Sequence, residues 1–75
     1  MSVSLDEICA VIATLLGLRS VGENDRIVED LGAESADLVN IVTALEARYG
    51  VFIDDSELED LRTAADVYRR IQRAI

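Results

Sequence analysis

Ser35 is the residue whose setting in this chain suggests chemistry. It follows Leu31-Gly32-Ala33-Glu34 and precedes Ala36-Asp37-Leu38. A glycine turn thus delivers a primary hydroxyl to the start of a strongly patterned helix, with one carboxylate just before it and another two residues after. A serine hydroxyl attacks only when an adjacent base takes its proton. The chain has no histidine, and its seven basic residues are all arginine, so no orthodox base is available. If Ser35 reacts, another protein activates it. General acid–base work near neutral pH needs a tuned histidine, lysine or carboxylate held in a pocket. The carboxylates here fall on predicted exposed faces, so we expect no catalytic residues and no enzyme. The alternative role for Ser35 is an N-cap, which serine before a helix often fills. Three residues on, however, stands Leu38, whereas the other three predicted helix starts carry a carboxylate at that position. Capping and modification are compatible, because the turn that presents the hydroxyl survives its esterification.

Other reactive side chains are few. Cys9 is the single cysteine, which rules out an internal disulfide and is too few for a metal cluster. It sits at the edge of an apolar stripe and is read as core filling. Asp54-Asp55-Ser56-Glu57 is acidic but lacks the glycine and the spacing of a calcium loop, so no metal site is expected.

The elements that must position Ser35 follow from caps and periodicity. Ser4-Leu5-Asp6-Glu7 is a capping box opening the first helix, in which Leu5, Ile8, Ile12 and Leu15 recur at helical spacing with Cys9 and Leu16 beside them. Gly17 ends it. Residues 17–34 form a long connection, and Leu18, Val21, Ile27 and Leu31 are apolar points able to pin it over a bundle. A short helical turn is possible around residues 25–30. The second helix runs from about Ser35 to Tyr49, with Leu38, Val42, Leu45 and Tyr49 as its stripe, thickened by Val39 and Ile41. Asn40, Thr43 and Arg48 fall on the other side with Ser35 and Ala36, and Gly50 is the C-cap. Val51-Phe52-Ile53 leads Phe52 or Ile53 into the core. Asp54 caps a short third helix with Glu57 as box partner and Leu58 and Leu61 as its buried side. Thr63 and Asp66 do the same for a fourth, whose stripe is Ala64, Val67, Tyr68, Ile71 and, at its end, Ile75. Arg69, Arg70 and Arg73 suit its negative C-terminal end. Four helices with one apolar stripe each bury those stripes against each other. The expected fold is all-α, a small bundle of three longer helices and one short one in a single domain, residues 1–75.

Composition narrows the function classes. The chain is 51% hydrophobic with 4% aromatic residues, so its core is mostly aliphatic. No run approaches the roughly 18–20 apolar residues of a membrane span, and the N-terminus does not look like a secretion signal. A monomeric cytoplasmic protein is expected. The net charge of −8 is uneven: residues 29–60 hold ten carboxylates and one arginine, whereas residues 61–75 hold four arginines and one aspartate. A field of that sign repels nucleic acid and steers basic protein surfaces toward Ser35.

Glu29-Asp30-Leu31-Gly32-Ala33-Glu34-Ser35 resembles the phosphopantetheine attachment segment of acyl carrier proteins, whose centre is usually Asp-Ser-Leu. Leu45-Glu46-Ala47-Arg48-Tyr49-Gly50 is similar to the end of that family's second helix, and Ile53-Asp54-Asp55 to the lead into its third. From Leu5 to Ile71 the segments keep the family's order and spacing. The resemblance implies that a magnesium-using phosphopantetheinyl transferase moves 4'-phosphopantetheine from coenzyme A onto Ser35. The arm's thiol then carries acyl groups as thioesters between acyl-loading and acyl-processing enzymes with basic docking surfaces. By position, Glu34 and Asp37 would meet basic residues of the transferase, and Ala36, Asn40 and Thr43 would face partners. Several positions depart from the common pattern. Glu34 replaces an aspartate, Ala36 a leucine, Asn40 a frequent acid and Thr43 a frequent methionine, while Arg48 interrupts an acidic helix end. These departures imply a carrier dedicated to a specialised fatty-acid or polyketide-type pathway. The alternatives are an aminoacyl or peptidyl carrier and an acidic interaction domain that carries nothing.

Overall fold

A computed structural model describes residues 2–75. Three α-helices, α1 (Leu5–Leu16), α2 (Ser35–Tyr49) and α3 (Ala64–Ala74), are joined by a long loop before α2 and a 3-10 helix, Asp55–Asp60, before α3. The all-α bundle of three longer helices and one short one is therefore the fold. The short element is a 3-10 helix; among its six residues only Leu58 is apolar, too little to hold a longer turn against the core.

Local chemistry explains where the helices begin and end. Ser4 Oγ accepts the Glu7 N–H at 3.1 Å, and Thr63 Oγ1 accepts the Asp66 N–H at 3.1 Å while Asp66 Oδ2 accepts the Thr63 N–H at 3.1 Å. Asp54 Oδ1 accepts the Ser56 N–H at 3.0 Å, and Glu57 Oε2 accepts the Asp54 N–H at 3.1 Å. These bonds satisfy N–H groups that a helix start leaves without intrahelical partners. At the other ends, Gly17 (φ 71°) and Gly50 (φ 65°) take the left-handed conformation that closes α1 and α2.

The core is aliphatic and drawn from every part of the chain. Ile8, Ile12 and Ala13 of α1, Leu38, Ile41, Val42, Leu45 and Tyr49 of α2, and Ala64, Val67 and Ile71 of α3 are buried. α1 packs on both α2 and α3, and Tyr49 Oη donates to Glu7 Oε2 across the α1–α2 seam at 2.7 Å. The buried arcs are narrower than the sequence stripes. Leu15, Val39 and Ile75 are exposed: Leu15 is at the edge of the α1 arc beside Ala44 and Arg48, and Val39 is about 100° round the helix from Leu38. Of the pair after α2, Ile53 enters the core and Phe52 is 75% exposed. The Ile53 N–H is held by Glu46 Oε2 at 2.8 Å.

The loop contributes to the core as a helix would. Val21, Ile27 and Ala33 are buried, Leu31 is half-buried and Leu18 is exposed. Arg26 pairs with Thr63 in an isolated antiparallel bridge. The Ile27 N–H donates to the Arg62 carbonyl at 2.8 Å and the Ala65 N–H to the Glu23 carbonyl at 2.9 Å, stitching the loop to the start of α3. Over residues 26–31 the chain makes a hydrogen-bonded turn, with Asp30 and Leu31 N–H groups both donating to the Arg26 carbonyl, and no assigned helix.

One ion pair spans elements with partial shielding from water. The Arg70 Nε donates to Glu57 Oε1 at 2.7 Å, with Nη2 reaching Glu57 Oε2 at 3.2 Å and the Phe52 carbonyl at 3.1 Å. Arg70 thus braces the 3-10 helix against α3 and is not simply a counter-charge at the α3 end; Arg69 likewise pairs backward with Asp66. The Arg70 hydrogen bond, then the Asp54 N–H, hold the Glu57 carboxyl below its usual range. Asp30 is lowered by its hydrogen bonds from Arg26 in the same sense.

Two outcomes follow. Ile27→Ala is expected to cost about 2–5 kcal/mol, as much as Ile41→Ala within α2. Urea unfolding giving under about 1 kcal/mol for Ile27→Ala alone would show the loop to be a passive cover. For pH, a carboxyl lowered in the folded state stabilises above its unfolded pKa, about 4.3 for glutamate, and that contribution is lost as pH falls through the folded value. Stability of the native chain should therefore fall below about pH 4.3, and Arg70→Gln should flatten this fall. Parallel pH profiles for the two proteins would contradict the clamp.

Candidate functional site

The turn that carries Ser35 is fixed from below. Ala33 is buried, and its N–H donates to the Ile27 carbonyl at 3.1 Å. Gly32 has φ 74°, a conformation that a side chain would strain. From this anchored point the chain rises through extended Glu34 (φ −90°, ψ 169°) into α2.

Glu34, not Ser35, is the N-cap. Asp37 Oδ2 accepts the Glu34 N–H at 2.9 Å, the returning half of a capping box one residue earlier than Ser35 and Leu38 would have formed it. The expectation that α2 alone lacks a carboxylate at its box position is thus corrected, as is the N-cap role considered for Ser35. Ser35 is the first helical residue and is exposed. Its hydroxyl makes no hydrogen bond among the described residues. The consequence is chemical: capping does not occupy this oxygen.

The other residues singled out by position divide into two groups. Glu34, Ala36, Asn40 and Thr43 are exposed, and the 36, 40, 43 spacing puts the last three on one outward face of α2. Asp37 is half-buried and committed to the Glu34 N–H, so it shapes the turn before it could meet any partner. Val39 was assigned to the core by the sequence; instead it is 44% exposed between this face and Ser35. Its angular distance from Leu38 was the signal that could have separated it from the stripe.

Beside Ser35 a groove of about 820 Å³ runs between α2, the long loop and the 3-10 helix. Leu38, Leu58 and Leu61 line it with Val28 and Val39, and Arg26 and Arg62 approach from the loop and the start of α3. Sequence reasoning did not find this groove, because its walls come from three segments that meet only in the fold. Arg26 is already engaged: its Nε and Nη2 donate to Asp30 at 3.2 and 3.0 Å, an exposed pair of small energetic weight.

The remaining reactive group lies elsewhere. Cys9 is half-buried, and burial first, then Asp6, Glu23 and Asp25, push its thiol pKa up, the opposite of a reactive thiolate. Among the described residues no cluster of three His, Cys, Asp or Glu could hold a metal ion, and no helix is long and apolar enough to cross a membrane.

Comparison with known proteins identifies a family. The family model for the phosphopantetheine attachment site matches residues 6–71. An acyl carrier protein of Wolinella succinogenes is 41% identical over 69 residues, covering 89% of this chain and 91% of that one. One from Thermotoga maritima is 35% identical over 68 residues, covering 88% and 84%. Among solved structures, a candidate acyl carrier protein from Mycobacterium tuberculosis superposes with a TM-score of 0.79 at 31% identity, covering 88% of this chain and 92% of that one. The chain belongs to the phosphopantetheine-attachment family of acyl carrier proteins, carriers whose cofactor is a covalently attached 4'-phosphopantetheine.

Proposed function

We propose that Ser35 bears the phosphopantetheine arm and that the protein holds acyl intermediates on it as thioesters for a specialised fatty-acid or polyketide-type pathway. The observation that carries this reading is the exposed Ser35 hydroxyl, left free by the Glu34–Asp37 closure of the helix start.

The residues present fit such a group. Ser35 Oγ is the ester oxygen, and its place in the first turn of α2 sets a phosphodiester beside the positive end of the helix dipole. The buried Ala33 below it keeps the attachment point rigid while the arm is free to move. When bound, the arm supplies a thiol that holds the acyl group and raises its effective concentration at each partner's active site. The chain has no histidine or lysine to serve as base, so a phosphopantetheinyl transferase must take the proton as the ester forms. Glu34 offers that enzyme an exposed carboxylate. Asp37 acts through the Glu34 N–H, holding the turn that presents Ser35.

Partner choice falls to the outward face of α2. Ala36, Asn40 and Thr43 offer it neither a large apolar anchor nor an acid. Enzymes with basic docking surfaces still meet the negative field of residues 29–60, but the close contacts differ from those of a leucine-and-acid face. This favours a dedicated set of loading and processing enzymes over the general fatty-acid machinery. A protein working as a monomer in the cytoplasm suits that role.

Incubation with coenzyme A, magnesium and a broad-specificity transferase should add one phosphopantetheine to the native chain and none to Ser35→Ala, read by intact mass. An unchanged native mass would remove the carrier reading, and an arm on Ser35→Ala would move it to another residue. Restoring the anchor and the acid with Ala36→Leu plus Asn40→Glu should improve kcat/KM with housekeeping fatty-acid elongation enzymes by about tenfold, the scale of one buried leucine. Efficient elongation of the native protein would argue against a dedicated pathway.

A further inference from the structure

We propose that the groove between α1 and α2 docks an amphipathic helix of a partner protein, one with an uncharged aliphatic ridge and a carboxylate placed to meet Arg48. The make-up of α1 is the first observation. Only Asp6, Glu7 and Thr14 of this helix are polar, and no charged residue falls between Glu7 and Arg19. A helix apolar on nearly every side is ordinarily covered on every side. Yet in α1 only Ile8, Ile12 and Ala13 are buried, whereas Ala10 is exposed, Val11 half-buried and Leu15 45% exposed. These three and Thr14 form one wall of a groove of about 360 Å³, and Ala44 and Arg48 of α2 form the other. The wall from Glu7 to Leu15 runs about 12 Å, just over two helical turns. Small side chains on both sides, Ala10 and Ala44, leave room for the ridge of a third helix to seat between the two.

Charge identifies the occupant. Arg48 is the one arginine among the ten carboxylates of residues 29–60. Its guanidinium is placed at the groove's end by two contacts: Nη2 is 4.0 Å from Glu7 Oε2, and the group lies 5.8 Å from the centre of the Tyr49 ring. The distance to Glu7 is too long for a hydrogen bond, and Glu7 Oε2 already accepts from Tyr49 Oη at 2.7 Å. Arg48 therefore keeps N–H donors for a carboxylate brought from outside, and hydrogen bonds formed there are charge-assisted. A charge elsewhere on the partner's ridge would be stranded against Ala10, Val11 and Leu15, which costs free energy. A basic helix of the kind steered toward Ser35 would meet Arg48 with like charge. The groove also stands apart from the arm. Ser35 and Ala44 are nine residues apart, half a turn round α2 at about 100° per residue. A helix in the groove leaves Ser35 open, so this partner holds the carrier while other enzymes reach the serine. The docking itself does not depend on what Ser35 carries.

The test uses the full chain and a synthetic, side-chain-stapled helical peptide of zero net charge. Its ridge is leucine and alanine at i, i+3, i+4 and i+7, with one glutamate a turn beyond. NMR titration follows the backbone amides of Ala10, Leu15, Ala44 and Ser35 and the Arg48 side-chain Nε–H. The expected result is saturable shifts at the first three and at Arg48, with the Ser35 amide unmoved. Replacing the peptide's glutamate by glutamine should weaken binding about threefold, the scale of a half-exposed ion pair, and Arg48→Gln in the protein should erase that difference. Leu15→Asp should weaken binding by about tenfold or more, since a bare carboxylate then faces the ridge; Leu15 is already exposed, and the unshifted remainder of the spectrum checks the fold. Shifts centred on Ser35, no shifts at all, or equal affinity of the glutamate and glutamine peptides for the native chain would overturn the proposal. A dimer of the native chain in sedimentation, broken by Leu15→Asp, would give the groove to a second copy and overturn it equally.

Discussion

A hydrogen bond from the Glu34 N–H to the Asp37 carboxylate closes the α2 start one residue before Ser35. Had the serine filled the cap, its oxygen would have been accepting from the backbone and turned along the helix axis. With the closure made by its neighbours, the hydroxyl stands in the first turn with nothing to hold. The helix dipole favours an anion there, and Asp37 sits at that favourable end. The acid before the serine and the acid after it thus have different physical tasks, one exposed and one committed to the turn.

That closure depends in turn on the loop. Ala33 is buried and bonded to the Ile27 carbonyl, while the Ile27 N–H is bonded to the Arg62 carbonyl. A continuous backbone path therefore runs from the start of α3, through a fully buried loop residue, to the residue two before Ser35. Eighteen residues without regular structure would normally weaken a domain of this size. Here they contribute three buried side chains, so the same contacts serve stability and the site. Substitutions at Ile27 act on both at once.

What could be read in the sequence was local. The caps at Ser4, Asp54 and Thr63, the stops at Gly17 and Gly50, and the stripe through Leu38, Val42 and Leu45 depend on residues within a turn or two of each other, and the fold contains them. The positions that differed depend on distant packing. Val39 and Leu15 lie at stripe edges where burial is settled by whether another segment covers them, and none does. Phe52 and Ile53 are adjacent apolar residues in the link after α2, and only Ile53 turns in; Glu46, seven residues back, holds the Ile53 N–H. The α2 box is hidden in the sequence because Ser35, the more usual cap residue, stands next to the actual cap, Glu34. The residues around Ser35 marked it as an exposed helix-start residue, as the structure has it, but gave no sign of the groove beside it, whose walls meet only through the loop-to-α3 bridge.

The 3-10 helix is the least embedded part of this framework. None of its side chains is fully buried; it is held by half-buried Leu58, by Leu61 at its end, and by the Glu57–Arg70 pair. Local stability follows buried contacts and shielded hydrogen bonds, and segments poor in both open first. The groove beside Ser35 therefore has walls of unequal stiffness. Two are the helix start and the loop, which share the backbone path through Ile27, and the third is the 3-10 helix. The turn that presents Ser35 is the anchored side of this groove and Leu58 its yielding side, with the Glu57–Arg70 pair bracing the 3-10 helix against α3.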